Sequence, residues 1–348
     1  MPSFFTIGDH LATLLLYLLP TRISTRIRQN ISPQTIHILH SSQTKCNEPR
    51  MTLFEGVFAT LLFDTALFGT NNIFINALIA LFTNIQNSWD ATFSDLNVAE
   101  EKVTDFCKRL DIQQNPWIWS KKKHEYTSLN DFFSRTYAAE YFPSIGDGKV
   151  VSPACCKMLC YNDDAEMKSV LIKGCDYEIG RIGLPEDDLE KYGRNRVLIG
   201  YLSPKDYHRV HAPISVREWM VDTGKVVHCQ MEGIDALSAS VKFFGGKFNL
   251  LNNNKRLVVV IEEEDGSGSN EPLKVAIVIV GGVGVNTITY EYILGKSILK
   301  GDELSTFRAG GSAFALFSTT PLDFVEPLIK SSRDGVQVET LVGETLAL

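Results

Sequence analysis

After Pro143 the sequence turns from long apolar stretches to short β-branched runs punctuated by Gly, Pro and Asp, which limits its second half to a β-rich fold. The runs cover residues 150–152, 170–173, 197–202, 257–262 and 275–280. Residues 258–261 and 276–280 are continuously apolar, which predicts strands covered on both faces, with 262–268 as a solvated turn between them. Gly281, Gly282 and Gly284 end the second run and predict a bend or a close backbone approach. Their spacing is not a dinucleotide fingerprint. The terminal stretch 336–348 alternates around Gly343 and predicts a closing pair of strands.

The first third reads differently. Residues 51–85 are rich in Leu, Phe, Ala and Ile but carry Glu55, Asp64, Asn71 and Asn76, a pattern of helices packed on a core or a membrane surface. A more charged helix is predicted over 95–110, and Pro116 marks a break. A short helix follows, capped by Ser128 or Asn130, whose Phe132 and Phe133 enter a core. With 348 residues, the chain has room for a helical region and one large β-rich domain, an α+β architecture.

No stretch of about 18 residues is apolar enough for a convincing membrane span. Residues 11–19 are apolar but short, Asp9 precedes them, and Arg22, Arg26 and Arg28 follow. This pattern suits a targeting peptide, a basic helix lying on anionic lipid, or an ordinary packed first helix. A net charge of −7 argues against a nucleic-acid partner, since phosphate contacts need concentrated Lys and Arg. The seven cysteines form no even disulfide framework and predict reduced thiols, and Cys155, Cys156 and Cys160 are a weak match to zinc-ligand spacing.

Two clusters could carry chemistry. Residues 201–213 place His208 and His211, two of only seven histidines, beside Lys205, Asp206 and Arg209, with Pro204 and Pro213 near the ends. If extended, this segment sends the two imidazoles to opposite faces; if turned, both can approach one centre. The second cluster, Gly310-Gly311-Ser312, runs into the apolar stretch 313–317. It puts the Ser312 hydroxyl at a strand entrance with little obstruction around the Gly311 carbonyl, a geometry that suits attack on the preceding peptide bond and equally a tight turn.

From Tyr126 to the C terminus the sequence resembles the phosphatidylserine decarboxylase family. The match rests on Leu129-Asn130-Asp131-Phe132-Phe133-Ser134-Arg135, Val151-Ser152-Pro153-Ala154, the Ser203–Pro213 histidine motif, and Lys300-Gly301-Asp302-Glu303-Leu304 with Gly310-Gly311-Ser312. It divides the chain into a helical, membrane-associated or targeting region over 1–125 and a catalytic domain over 126–348. It implies a precursor cut between Gly311 and Ser312, leaving two fragments in one fold and converting Ser312 to a pyruvoyl group. It further implies phosphatidylserine as substrate, phosphatidylethanolamine and carbon dioxide as products, and a membrane surface and a second copy of the chain as partners. An intracellular membrane, mitochondrial inner or endomembrane, is the implied location. His211 is assigned to proton transfer during self-cleavage, and His208 to positioning the substrate carboxylate or to later protonation.

Two positions depart from the family pattern. Cys155 stands where an Asp usually orients the processing histidine, and a thiol is a poor substitute for a carboxylate acceptor. Ala313 stands where Ser or Thr is common. The alternative is a processing-defective, phospholipid-binding or regulatory homologue without decarboxylase activity.

Overall fold

The computed structural model describes residues 35–38, 44–46, 96–110, 112, 118–161, 169–172, 175–203, 205–218, 221–232, 255–263, 272–281, 288–291, 293–308 and 312–348. The expectations for residues 11–28, 51–85, Pro116, Gly282, Gly284 and Gly311 lie outside the described residues, as does most of the 262–268 turn.

Helices and antiparallel strands combine as expected for an α+β chain. The sequence reading located the central strands closely: Val197–Leu202 is formed as expected, while Arg256–Glu263 and Lys274–Gly281 each run one residue beyond their expected span at either end. These strands belong to one large sheet, in which neighbours run Val221–Glu232, Arg256–Glu263, Lys274–Gly281, Ser312–Ser318, Val197–Leu202, Cys156–Tyr161 and Val338–Thr340. Beyond the last of these lie Thr35–Ile38, which pairs in parallel, and Thr44–Cys46. Ser312–Ser318 is therefore an interior strand, antiparallel to both neighbours.

Alternation explains why the middle of the sheet has no polar face. Leu257, Val259, Ile261, Ile277, Phe314 and Leu316 enter the main core on one side. Their sequence neighbours Val258, Val260, Val278, Ala313, Ala315 and Phe317 enter a second core on the other, closed by Ile179, Ile182, Leu184 and Tyr192. Each fully buried aliphatic side chain contributes about 1.5–3 kcal/mol, so the strands are held from both faces.

Helix α1 (Leu96–Arg109) falls within the predicted 95–110 and packs Val103 and Cys107 against Tyr126 and Phe132. Helix α2 (Leu129–Phe133) is short and capped by Ser128, whose hydroxyl accepts the Asp131 N–H at 3.0 Å. Helix α3 (Leu189–Arg194) borders the second core, and α4 (Glu326–Arg333) packs Leu328 and Ile329 into the main one.

The terminal strands correct one expectation. Val338–Thr340 and Thr345–Ala347 form on either side of Gly343, but they do not pair with each other. The first pairs with Cys156–Tyr161 in the large sheet, and the second with Val150–Val151. Gly343, at φ +87°, turns the chain between the two sheets, its N–H bonded to the Ser152 carbonyl. A local hairpin would forgo these longer-range partners, in which Val338 lies beside the fully buried Met158.

Candidate active site

Ser312 opens its strand, paired with Leu202 on one side and Gly281 on the other, and is fully buried. Its place in the alternation puts it on the same face as Phe314 and Leu316, the face of the main core. Ala313 points into the opposite core, away from the Ser312 side chain. Gly311, the other half of the expected scissile bond, lies outside the described residues.

His208 meets Ser312. Its Nδ1 is 3.2 Å from the Ser312 Oγ, and its Nε2 is 3.0 Å from the Ser203 carbonyl oxygen. A carbonyl can only accept, so Nε2 carries a proton, and in the neutral ring Nδ1 presents a lone pair to the Ser312 hydroxyl. The Ser203 carbonyl is itself held in place. It also accepts the Asp206 N–H at 2.8 Å, while the Asp206 carboxylate accepts the Ser203 N–H at 2.7 Å. Phe133, at the end of α2, stacks on the imidazole at a centroid distance of 3.6 Å and fixes its plane.

His211 has different partners. Its Nδ1 donates to the Gly301 carbonyl at 2.7 Å, leaving Nε2 to accept from the Tyr207 hydroxyl at 3.2 Å. Burial pushes its pKa below the ordinary value, against the pull of the Gly301 hydrogen bond, so it is a neutral imidazole. The structure thus brings His208 to Ser312 and engages both His211 ring nitrogens elsewhere.

Cys155 is buried with Tyr207 and Val342. Its sulfur lies 3.4 Å from the Val342 N–H and 3.6 Å from the Tyr137 hydroxyl, and burial pushes the thiol up to about 11. The Tyr137 ring packs on Tyr207 at 4.7 Å, so Cys155 connects to His211 through two tyrosines. The Asp206 carboxylate accepts the Ser203 N–H, and burial raises its pKa. A cavity of about 240 Å³ borders Cys155, with Trp119, Arg135, Tyr137, Lys205 and Tyr207 among its walls; Ser312 and His208 do not line it.

The other quoted segments frame the histidines. The Pro153 carbonyl accepts the His211 N–H at 2.8 Å, Gly301 supplies the acceptor for the His211 ring, and Glu303 pairs with Arg209 through both carboxylate oxygens at 2.6 and 2.7 Å. Sequence reasoning missed the Ser203 carbonyl, the stacking role of Phe133, and Tyr137 and Tyr207. Phe133 left a signal as one of the two phenylalanines predicted to enter a core, Ser203 and Tyr207 lay inside the quoted histidine motif without a role, and Tyr137 left none.

A buried serine at a strand entrance, faced by a histidine nitrogen that accepts when the ring is neutral, defines a protein able to activate a hydroxyl beside its own backbone. The family model described as phosphatidylserine decarboxylase matches residues 129–348, and the chain belongs to that family. Among its relatives, the phosphatidylserine decarboxylase proenzyme of Chlamydia caviae is 27% identical over 254 residues, covering 71% of this chain and 78% of the relative. The proenzyme of the same name from Ruminiclostridium cellulolyticum is 26% identical over 265 residues, covering 75% and 83%.

Proposed function

We propose that this chain is a proenzyme that cuts itself between Gly311 and Ser312 and then decarboxylates phosphatidylserine to phosphatidylethanolamine and carbon dioxide. The observation that carries this reading is the Ser312 Oγ, buried and 3.2 Å from His208 Nδ1, the nitrogen left to accept in the neutral ring whose Nε2–H donates to the Ser203 carbonyl.

Cleavage begins when the Ser312 hydroxyl gives its proton to His208 Nδ1 and the oxygen attacks the Gly311 carbonyl carbon. The C–N bond breaks, the amine of residue 312 takes up a proton, and an ester replaces the amide. Loss of the residue 312 Cα proton expels the Gly311 carboxylate, and water then releases ammonia from the new N terminus. Fragments 1–311 and 312–348 result. Ser312 fits the pyruvoyl group this chemistry leaves, being buried against a proton acceptor and joined to the sheet on both sides. That group supplies an electron sink for decarboxylation of an amine-bearing substrate. His208, beside residue 312 throughout, is the residue placed to hold and return a proton there.

This reading moves the first proton transfer from His211 to His208. His211 becomes a supporting residue, tying the Gly301 carbonyl to the histidine strand. Because the Ser203 carbonyl already orients His208, the thiol of Cys155 is not required as a carboxylate in this arrangement. Membrane association belongs to the same proposal, since withdrawing a two-tailed lipid into water costs about 0.8 kcal/mol per CH₂. Docking on an intracellular membrane and a homodimer are further parts of this proposal, carried by the family resemblance; no helix among the described residues is long and apolar enough to cross a membrane.

Intact-mass analysis of purified protein with lipid vesicles tests the proposal. The expected products are two segments, the smaller beginning at residue 312 with a blocked end, and ethanolamine phospholipid. Ser312→Ala stays whole and inactive, and His208→Ala cuts about 10²–10⁴-fold more slowly. His211→Ala still cuts at a measurable rate. Cleavage lost in His211→Ala but kept in His208→Ala restores the first assignment of His211. A wild-type chain that stays whole and yields no product supports the non-catalytic homologue.

A further inference from the structure

We infer that Arg135 is a positioning residue that fixes the tautomer of His208 by holding the main chain of Lys205 and Asp206. The inference rests on His208 serving Ser312 as proposed above.

Arg135 is 2% exposed, and burial lowers its pKa, so placing a cation there opposes folding unless its donors are used well. Nε has no partner among the described residues, and the terminal nitrogens turn to backbone, Nη1 reaching the Phe132 carbonyl at 3.4 Å. Nη2 donates to the Lys205 carbonyl at 2.6 Å and to the Asp206 carbonyl at 3.0 Å. The guanidinium carbon lies over the Trp119 ring, 4.5 Å from its centroid, and over the Phe132 ring, at 4.8 Å, contacts that restrict its position.

These carbonyls belong to the turn that sets the proton on His208. The Asp206 N–H and the His208 Nε2–H share the Ser203 carbonyl, and the Asp206 carboxylate returns a bond to the Ser203 N–H. A second arginine closes the arrangement from the other side. Arg209 Nη2 donates to the Ser134 carbonyl at 2.8 Å, and its Nε lies 3.3 Å from the carbonyl of Arg135 itself. The two arginines therefore clamp each other's segments on either side of His208, and Phe133, between Phe132 and Arg135 in the chain, covers its ring.

Without the Nη2 bridge from Arg135, the Lys205–Asp206 main chain can shift and carry the Ser203 carbonyl off Nε2. The proton is then free to move to Nδ1, which would donate toward Ser312 where it must accept. Lysine is not an equivalent, because a tetrahedral ammonium on a flexible stem lacks the flat guanidinium face that packs on Trp119 and Phe132 and holds Nη2 at both carbonyls.

The test reads the tautomer directly. In full-length Ser312→Ala protein, ¹⁵N imidazole shifts assigned by comparison with a His208→Gln chain should report His208 as the Nε2–H form. Adding Arg135→Lys should produce a mixture with a substantial Nδ1–H share. Adding Ser128→Ala, which weakens the cap of α2 without touching the turn, should leave the tautomer unchanged. In the chain with Ser312 intact, Arg135→Lys should slow self-cleavage by on the order of 10²-fold and move the midpoint of its pH–rate curve. Should Arg135→Lys not fold, Trp119→Leu, which removes one face of the clamp, should give a smaller tautomer shift in the same direction. A His208 that stays fully Nε2–H in the folded variant overturns the inference. If the parent chain never cuts, the function proposed above fails, while the imidazole shifts still decide the role of Arg135.

Discussion

His211 is neutral in the folded chain because burial disfavours its charged form, and this has a signed consequence for stability. Its folded pKa lies below the ordinary 6.5, so between the two values the unfolded chain binds more protons than the folded one. Stability therefore rises with pH across that window: the contribution is complete above 6.5 and is lost as pH falls toward the lowered value. Urea unfolding of Ser312→Ala protein should show a midpoint that falls with acidification below about pH 6.5, and His211→Gln should flatten that slope. Cys155 makes a second prediction at this scale. A thiol pushed up to about 11 and buried is a thiol at neutral pH, so iodoacetamide should leave it unlabelled in the native protein and label it after denaturation. Cys155→Ala should cut at a rate of the same order as the parent. A large loss would mean that the sulfur takes part in proton transfer.

Among the elements, the Ser312–Ser318 strand depends on the shape of its neighbour. Gly200 lies opposite Phe314, and a Cβ there would run into the Phe314 ring, which is fully buried and has nowhere to retreat. Gly200→Ala should destabilise the fold by about 1–3 kcal/mol in chemical denaturation and slow self-cleavage, since Phe314 sits two residues along from Ser312 on the same face. A change in neither would show that the ring repacks freely. The central strands were legible because a sheet covered on both faces needs uninterrupted β-branched sequence, and residues 258–261 and 276–280 have it. What pairing they take was not legible. Residues 336–348 announced two strands, but each found its partner far away in the chain, near residues 158 and 150. The same limit hid the site. A spacing of three between His208 and His211 is compatible with one shared centre or two separate ones, while Ser203 acts through its own main-chain carbonyl and Arg135 binds those of Lys205 and Asp206, partners that leave no side-chain pattern.

Across the whole molecule, the segment from residue 312 onward is distributed through the fold. It supplies an interior strand of the large sheet, helix α4, a further strand beside Cys156–Tyr161, and the strand paired with Val150–Val151. Fragments 1–311 and 312–348 should therefore elute together in size-exclusion chromatography after cleavage and separate only in denaturant; dissociation in native buffer would contradict this interleaving. The interior place of Ser312 would also set the timing of the proposed self-cleavage. Residues 208 and 312 are far apart in the chain and meet only when Ser312–Ser318 has slotted between Lys274–Gly281 and Val197–Leu202. A backbone cut at that junction would thus keep a permanent record that assembly had finished, and a misfolded copy would carry the unbroken bond as its mark.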